Sequence, residues 1–265
     1  MARIEFAWEL GAGTGHVTTL LPIASAMKAR GHDVRFFLRD LSAGADLEGA
    51  VEIPREGAPI WSGPPTCEAP LNLGEILLNF GYHDAPQHQL LVDAWRERLK
   101  GSHAVVANVA PAAHLAALTL GIPSFEISQG FHVPPPAMPS PPLRHWEPAP
   151  RARLETADRR VLHAINTVLS GYGVQPLATI GELFAGRSML LTYPELDIYP
   201  ERGPSDYTAS PTPAKARRCR AGRRATARAC SPTSIRISRE SIPCSRRSRR
   251  RSARRSFFAA ASTRN

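Results

Sequence analysis

The chain has 265 residues, 43% of them hydrophobic, and a formal net charge of +10. This length and apolar content suffice for one α/β domain with a sizeable core, and the absence of a run of eighteen apolar residues excludes a predicted transmembrane helix. The N-terminus has no basic segment followed by an apolar one, so we expect a soluble cytoplasmic protein. Cys67 is the only cysteine before residue 207, which excludes a disulfide framework there.

The first forty residues predict a strand, a glycine-rich turn, a helix and a second strand. Residues 3–8 alternate in polarity, and apolar residues recur at three-to-four spacing over 17–27. Gly31 stands where a helix C-cap is expected, and a second apolar run follows over 34–38. Such a unit opens a doubly wound parallel sheet, so we expect an α/β, Rossmann-like fold.

The turn between the first strand and the first helix is a candidate ligand loop. Gly11, Gly13 and Gly15 allow the backbone to turn sharply and to present its amides at a helix N-terminus. A dinucleotide fingerprint places its third glycine three residues after the second, whereas Gly15 follows Gly13 by two. The spacing therefore disfavours a nucleotide-binding oxidoreductase, which stays an alternative.

His16 follows these glycines at the mouth of the helix. A group that titrates near neutrality is suited to accept a proton from a hydroxyl, so His16 is a candidate general base. The alternative is a polar residue at a helix start without a chemical role.

Further elements follow in order along residues 51–192. Proline 86 suits the first turn of a helix, Gly121 closes another, and the proline cluster over 134–142 favours neither helix nor strand. We predict helices over 71–80, 87–99, 111–120, 153–169 and 177–184, and strands over 51–53, 58–61, 104–107, 122–127 and 189–192.

Ligands of open α/β sheets bind beyond the carboxyl ends of the strands, which collects the loops at 11–16, 79–84, 108–111 and 129–133 around one crevice. Their aromatic and polar residues could wall an apolar pocket with a few polar groups; the alternatives are core packing for the aromatics and solvated loops for the histidines. The candidate binding residues are Gly13, Gly15, Phe80, His83, Gln129, Phe131 and His132, with Tyr82 as a further aromatic. The remaining histidines considered are interpreted as surface or helix residues without a role: His32, His103, His114, His145 and His163.

Residues 11–40, GAGTGHVTTLLPIASAMKARGHDVRFFLRD, resemble the start of a GT-B glycosyltransferase that uses a nucleotide sugar. The resemblance continues in pieces to about Asp206, at 94–99, 103–108, 120–136 and 190–200. It implies that residues 1–206 are the N-terminal, acceptor-binding half of the GT-B fold. The donor would be a nucleotide-diphosphate sugar, the acceptor a hydroxyl of a small molecule or lipid, and neither a cofactor nor a metal would be needed.

The resemblance also implies roles for two residues. In that family the histidine of the first loop takes the proton of the acceptor hydroxyl, and His16 matches it. Many members carry an aspartate at the end of the fourth strand that orients this histidine, where the present chain has Asn108. An asparagine can hold a tautomer but cannot neutralise an imidazolium, so either another carboxylate serves or the base is weakened.

Residues 207–265 differ from the rest in charge. They carry 17 basic residues and one acidic residue, whereas residues 1–206 carry 16 basic and 22 acidic residues. With few aliphatic residues to bury, 207–265 are expected to form a disordered Arg/Ser-rich tail beside a folded domain over 1–206. Such a tail is typical of an arm that binds nucleic acid or an anionic surface. Its three cysteines show neither paired zinc spacing nor accompanying histidines.

A second interpretation of the tail is out-of-frame translation of a GC-rich gene. Shifted by one base, the Ser and Arg codon families encode mostly apolar or small residues. Residues 222–229 then read as a Pro-Gly segment and 230–248 as a strand, a loop and a helix, which resembles the entry into the second GT-B domain. This favours a shifted frame over a nucleic-acid-binding arm. It also predicts that the chain as translated is truncated, inactive and without a specific nucleic-acid partner.

Overall fold

A computed structural model of the chain describes residues 1–44 and 52–208. Its strands are β1 (Arg3–Trp8), β2 (Asp33–Leu38), β3 (Arg55–Gly57), β4 (Ala104–Ala107), β5 (Ser124–Ser128) and β6 (Ser188–Leu190). Its α-helices are α1 (Gly15–Ala29), α2 (Leu73–Leu78), α3 (Ala85–Leu99), α4 (Pro111–Leu120) and α5 (Arg151–Gly171). Two short 3₁₀ helices cover Ile180–Phe184 and Pro194–Leu196.

The six strands form one parallel sheet in the order β3-β2-β1-β4-β5-β6. Phe6 of β1 pairs with Phe36 on one side and with Val106 on the other, so β1 lies at the centre. The chain leaves β3 at one edge and resumes pairing at β4 beside β1, which places the topological switch between β1 and β4. The predicted α/β, Rossmann-like, doubly wound fold is confirmed.

The two faces of the sheet are packed differently. One face packs on α1 through buried residues such as Trp8, Val17 and Leu20. The other face is covered by α2 to α5, with Trp95 and Leu115 among its fully buried residues. Since both faces bury apolar side chains over the centre of the sheet, β1 and β4 are apolar throughout most of their length.

Three predicted elements are corrected. Residues 53–54 and 58–61 are not strand, and Val51 lies outside the described residues. The edge strand is Arg55–Gly57, whose Glu56 lies opposite Phe37 of β2 and forms an ion pair with Arg35. The helix predicted over 177–184 is only the 3₁₀ turn Ile180–Phe184, where Gly181 packs against the backbone of the proline cluster.

The last strand is Ser188–Leu190 rather than 189–192, and the chain returns to its edge. The Leu190 amide donates to the Asp206 carbonyl, and the Thr208 amide donates to the Leu190 carbonyl. Within the predicted tail, Thr208 therefore bonds to β6 and Tyr207 is the bridge partner of Leu190, while the disorder predicted for 209–265 concerns residues outside the described part. Within 1–44 and 52–208, no helix combines the length and the apolar character needed to cross a membrane.

Candidate active site

His16 and Asn108 meet at the carboxyl ends of the adjacent strands β1 and β4. The His16 Nδ1 lies 2.5 Å from the Asn108 Oδ1, and the Asn108 amide nitrogen donates to the Ile127 carbonyl of β5. Because a carbonyl can only accept, this second bond fixes which amide atom of Asn108 faces His16. His16 must then carry its proton on Nδ1, which leaves the lone pair of a neutral ring on Nε2.

The indole of Trp8 and the backbone of Gly11 enclose the His16 ring. The two rings stack at 4.7 Å between centroids with planes 15° apart. Gly11 has φ +90°, and a Cβ there would lie 2.6 Å from Nε2, so this position requires glycine. Burial is the main cause that lowers the pKa of His16, opposed by the hydrogen bond to Asn108 and by the nearby Glu126 carboxylate. The ring is therefore neutral at pH 7 and able to accept a proton.

A fully buried carboxylate, Glu126, lies behind this pair on β5. Its Oε1 accepts from the Val109 backbone N–H and from His132 Nε2, both at 2.8 Å. Its Oε2 accepts from His114 Nε2 at 2.9 Å, and His114 Nδ1 lies 2.9 Å from the Ser124 hydroxyl. Burial opposes ionisation of Glu126, but the hydrogen bonds from the two histidines lower its pKa below the usual value.

Val109, the residue after Asn108, has φ +57°, a left-handed conformation that is costly for a β-branched residue, of order 1–3 kcal/mol. Both of its backbone polar groups are bonded: the N–H donates to Glu126, and the carbonyl accepts from the Leu10 N–H at 2.9 Å. The strained turn after β4 is thus held by β5 on one side and by the glycine-rich loop on the other.

Glu9, at the end of β1, is a second fully buried carboxyl. Its Oε2 accepts from the Ala112 N–H at 2.9 Å and caps the start of α4, where Ala110 has no side chain able to do so. Its Oε1 has no hydrogen-bond partner among the described residues. Desolvation by burial dominates and raises the pKa of Glu9 to about 8.

The predicted binding residues fall into separate groups. Gly13 and Gly15 are exposed, and the Gly15 carbonyl accepts from Thr18 and Thr19 in the first turn of α1. Gln129 is exposed after β5, and the Phe131 side chain, 41% exposed, contacts the His132 ring edge-to-face at 4.8 Å.

The second group follows α2. The His83 Nδ1 bonds the Leu78 carbonyl at 2.8 Å, and its ring lies edge-to-face with Trp61 at 5.5 Å. The Phe80 ring lies under the Arg39 guanidinium at 5.6 Å. Tyr82 is buried in the core and does not wall the crevice.

Two histidine interpretations are corrected. His132 is buried rather than a solvated loop residue, because its ring donates to Glu126. His114 lies on α4 as predicted but is fully buried and bonds the same carboxylate, so it is not a surface residue.

Sequence reasoning missed Glu9 and Glu126. The available signal for Glu126 was the alternation of Ser124, Glu126 and Ser128 with Phe125 and Ile127, which marks a strand with one polar face.

Within the described parts of the chain, no cluster of three or more histidine, cysteine or acidic residues is arranged to hold a metal ion.

Comparison with known proteins finds similarity only among solved structures; no family model and no curated protein matches. The glycotransferase of kitacinnamycin is 17% identical over 85% of this chain and 55% of its own, with a TM-score of 0.49. The calicheamicin glycosyltransferase CalG4 is 16% identical over 78% and 52%, with a TM-score of 0.47. The Streptomyces sp. SF2575 glycosyltransferase SsfS6 is 18% identical over 74% and 51%, with a TM-score of 0.42.

All three of these structures are glycosyltransferases. The chain spans about half of the length of each. Identities below 20% and TM-scores below 0.5 support no conclusion about activity, so the activity of this chain must be argued from its own residues.

Proposed function

We propose that residues 1–206 are the acceptor-binding half of a GT-B glycosyltransferase, which transfers a sugar from a nucleotide-diphosphate sugar to a hydroxyl of a small molecule or lipid. The observation that carries this proposal is the His16–Asn108 contact, since it fixes the tautomer of the neutral His16 ring, with the lone pair on Nε2, at the switch point of the sheet. The resemblance of residues 11–40 to this family supports it independently.

In the proposed reaction, His16 acts as the general base. The acceptor hydroxyl gives its proton to Nε2 while its oxygen bonds to the anomeric carbon, and the bond from that carbon to the nucleoside diphosphate breaks. Asn108 keeps the ring oriented by accepting from Nδ1. The imidazolium that forms bears a charge that Asn108 cannot neutralise.

The acceptor is proposed to be largely apolar. Phe131, Phe80 and Trp61 offer partly exposed aromatic surface in or near the loops that the sequence predicts around the crevice. Gln129 and His83 supply the few polar groups that fix the orientation of a ligand in such a site. His132 is proposed to hold its loop in place through the hydrogen bond to Glu126, rather than to contact the acceptor directly.

The donor would bind mainly to a second domain, and residues 207–265 carry no donor motif. We propose that these residues are translated out of frame and that the chain as it stands is inactive. The DNA downstream of codon 206, read in three frames, tests this proposal. We expect an open frame coding an α/β domain of about 180 residues. A frame filled with stop codons would contradict it and favour a basic arm that binds nucleic acid.

Replacing His16 by alanine tests the base. In a protein with the second domain restored, His16→Ala should lower turnover by roughly 10²- to 10⁴-fold with little change in donor affinity, because only proton transfer is lost. His163→Ala, on the exposed side of α5, is the matched control and should retain full turnover. Near-normal turnover of His16→Ala would remove His16 from the mechanism.

A further inference from the structure

Four residues behind His16 form a connected polar network: Glu126, His132, His114 and Ser124. Building on the proposed role of His16 as base, we propose that Glu126 is its positioning residue. Glu126 holds the Asn108–Val109 turn in place and supplies the negative charge that stabilises protonated His16. In this chain the Glu126 carboxylate on β5 would thus neutralise the imidazolium of His16, which the neutral Asn108 cannot do.

The first argument is geometric. Two consecutive residues of β5 hold two consecutive residues after β4: the Ile127 carbonyl accepts from the Asn108 side chain, and Glu126 accepts from the Val109 N–H. The second bond restrains Val109 in its left-handed conformation, which turns the chain directly after Asn108. The orientation of the Asn108 amide, and with it the His16 tautomer, therefore depends on Glu126.

The second argument is electrostatic. Glu126 accepts three hydrogen bonds although its side chain has no solvent exposure, and such bonds favour the ionised form. The charge of Glu126 raises the pKa of His16, and His132 acts on that pKa in the opposite direction.

The groups that act on the His16 ring come from three strands. Trp8 of β1 stacks on it, Asn108 after β4 bonds it, and Glu126 of β5 and His132 beyond β5 act on it through charge. Of these, only Glu126 is an anion. Removing the charge of Glu126 should therefore shift the protonation of His16, whereas a purely structural residue would leave it unchanged.

Glu126→Gln removes the charge and can keep every bond. The glutamine oxygen can accept from Val109 and His132, and its amide can donate to His114 Nε2 if His114 moves its proton to Nδ1, facing Ser124. Glu9→Gln is the matched control. It is the same substitution at another fully buried carboxyl, whose pKa of about 8 leaves it neutral where His16 titrates.

The experiment is an NMR titration of His16 in the full chain with isotope-labelled histidine rings. We expect Glu126→Gln to lower the pKa of His16 by roughly one pH unit, as expected for a unit charge lost nearby in a protein. Glu9→Gln should leave that pKa unchanged. An unchanged His16 pKa in a folded Glu126→Gln variant would overturn the proposal.

A second measurement needs no variant. The carboxyl ¹³C signal of Glu126 in the unmodified chain should show an ionised group throughout the range in which His16 titrates. A Glu126 carboxyl that is protonated in that range would overturn the proposal even if Glu126→Gln fails to fold. Both titrations are independent of sugar transfer, so normal turnover of His16→Ala in the restored protein would refute the proposed function without changing their outcome.

Discussion

Glu9 and Glu126 lie two strands apart in the sheet, and both side chains are fully buried, yet their pKa values move in opposite directions. Glu9 has one bonded oxygen and one without a partner among the described residues, and burial raises its pKa to about 8. Glu126 has two histidines and a backbone N–H on its oxygens, and its pKa is lowered. Hydrogen-bond donors rather than depth decide which buried acid carries charge.

The contrast bears on the proposed chemistry. With Glu9 neutral, only one of these two buried acids carries a negative charge, and that charge lies on the strand whose carbonyl fixes Asn108. Repulsion by Glu126 contributes to the raised pKa of Glu9, while Arg39 acts against it. The two acids are thus coupled, and their difference can be tested by changing each of them in the same way.

The largest expected effect concerns stability against pH at Glu9. Its folded-state pKa of about 8 lies above the ordinary 4.5, so its contribution to stability is fully present below pH 4.5 and is lost as the pH rises through about 8. Glu9→Gln should therefore match the wild type at acidic pH and exceed it by on the order of 5 kcal/mol above pH 8. Urea unfolding at both pH values measures the difference. Parallel pH profiles would show that Glu9 is not protonated in the fold.

A smaller effect is expected when the hydrogen bonds of each acid are removed. Glu126→Leu leaves His114, His132 and the Val109 N–H without their acceptor and should cost about 3–5 kcal/mol of unfolding free energy at pH 7. Glu9→Leu removes one helix cap and should cost about 1–2 kcal/mol. If chemical denaturation showed equal losses of unfolding free energy for Glu126→Leu and Glu9→Leu, the hydrogen bonds of Glu126 would stabilise the fold no more than the single cap made by Glu9.

The smallest effect concerns a third carboxylate, introduced by Asn108→Asp. An acid in direct contact with Nδ1 favours protonated His16, so its pKa should rise by about one to two units. Asn166→Asp, on α5, is the matched control and should leave the His16 titration unchanged. A His16 titration that does not respond to Asn108→Asp would mean that the two side chains are not in contact in solution.

The sheet could be predicted from the apolar patterns of its strands. Since parallel strands bring their carboxyl ends to one edge, the loops of His16 and Asn108 could also be placed together. The pairing of these two residues was implied by the resemblance to the glycosyltransferase family. The edge strand Arg55–Gly57 could not be predicted, because it is short and polar and is defined by pairing with β2. Propensity carries little information where a partner strand supplies the hydrogen bonds.

The Glu126 network could not be predicted for a different reason. The alternation in β5 shows that polar and apolar residues face opposite sides, but not which side is buried. Here the polar face is buried, while on the apolar face Ile127 is buried and Phe125 is 50% exposed. That choice depends on His114 and His132, which reach Glu126 from α4 and from the loop after β5.

The tautomer of His16 tests the central claim most directly. Nitrogen NMR of the full chain with ¹⁵N-labelled histidine distinguishes a protonated ring nitrogen from an unprotonated one at neutral pH. The account predicts a neutral ring with the proton on Nδ1, donated to Asn108, and the lone pair on Nε2 beside Gly11. A proton on Nε2, or a fully protonated ring at pH 7, would contradict the assignment of His16 as the base.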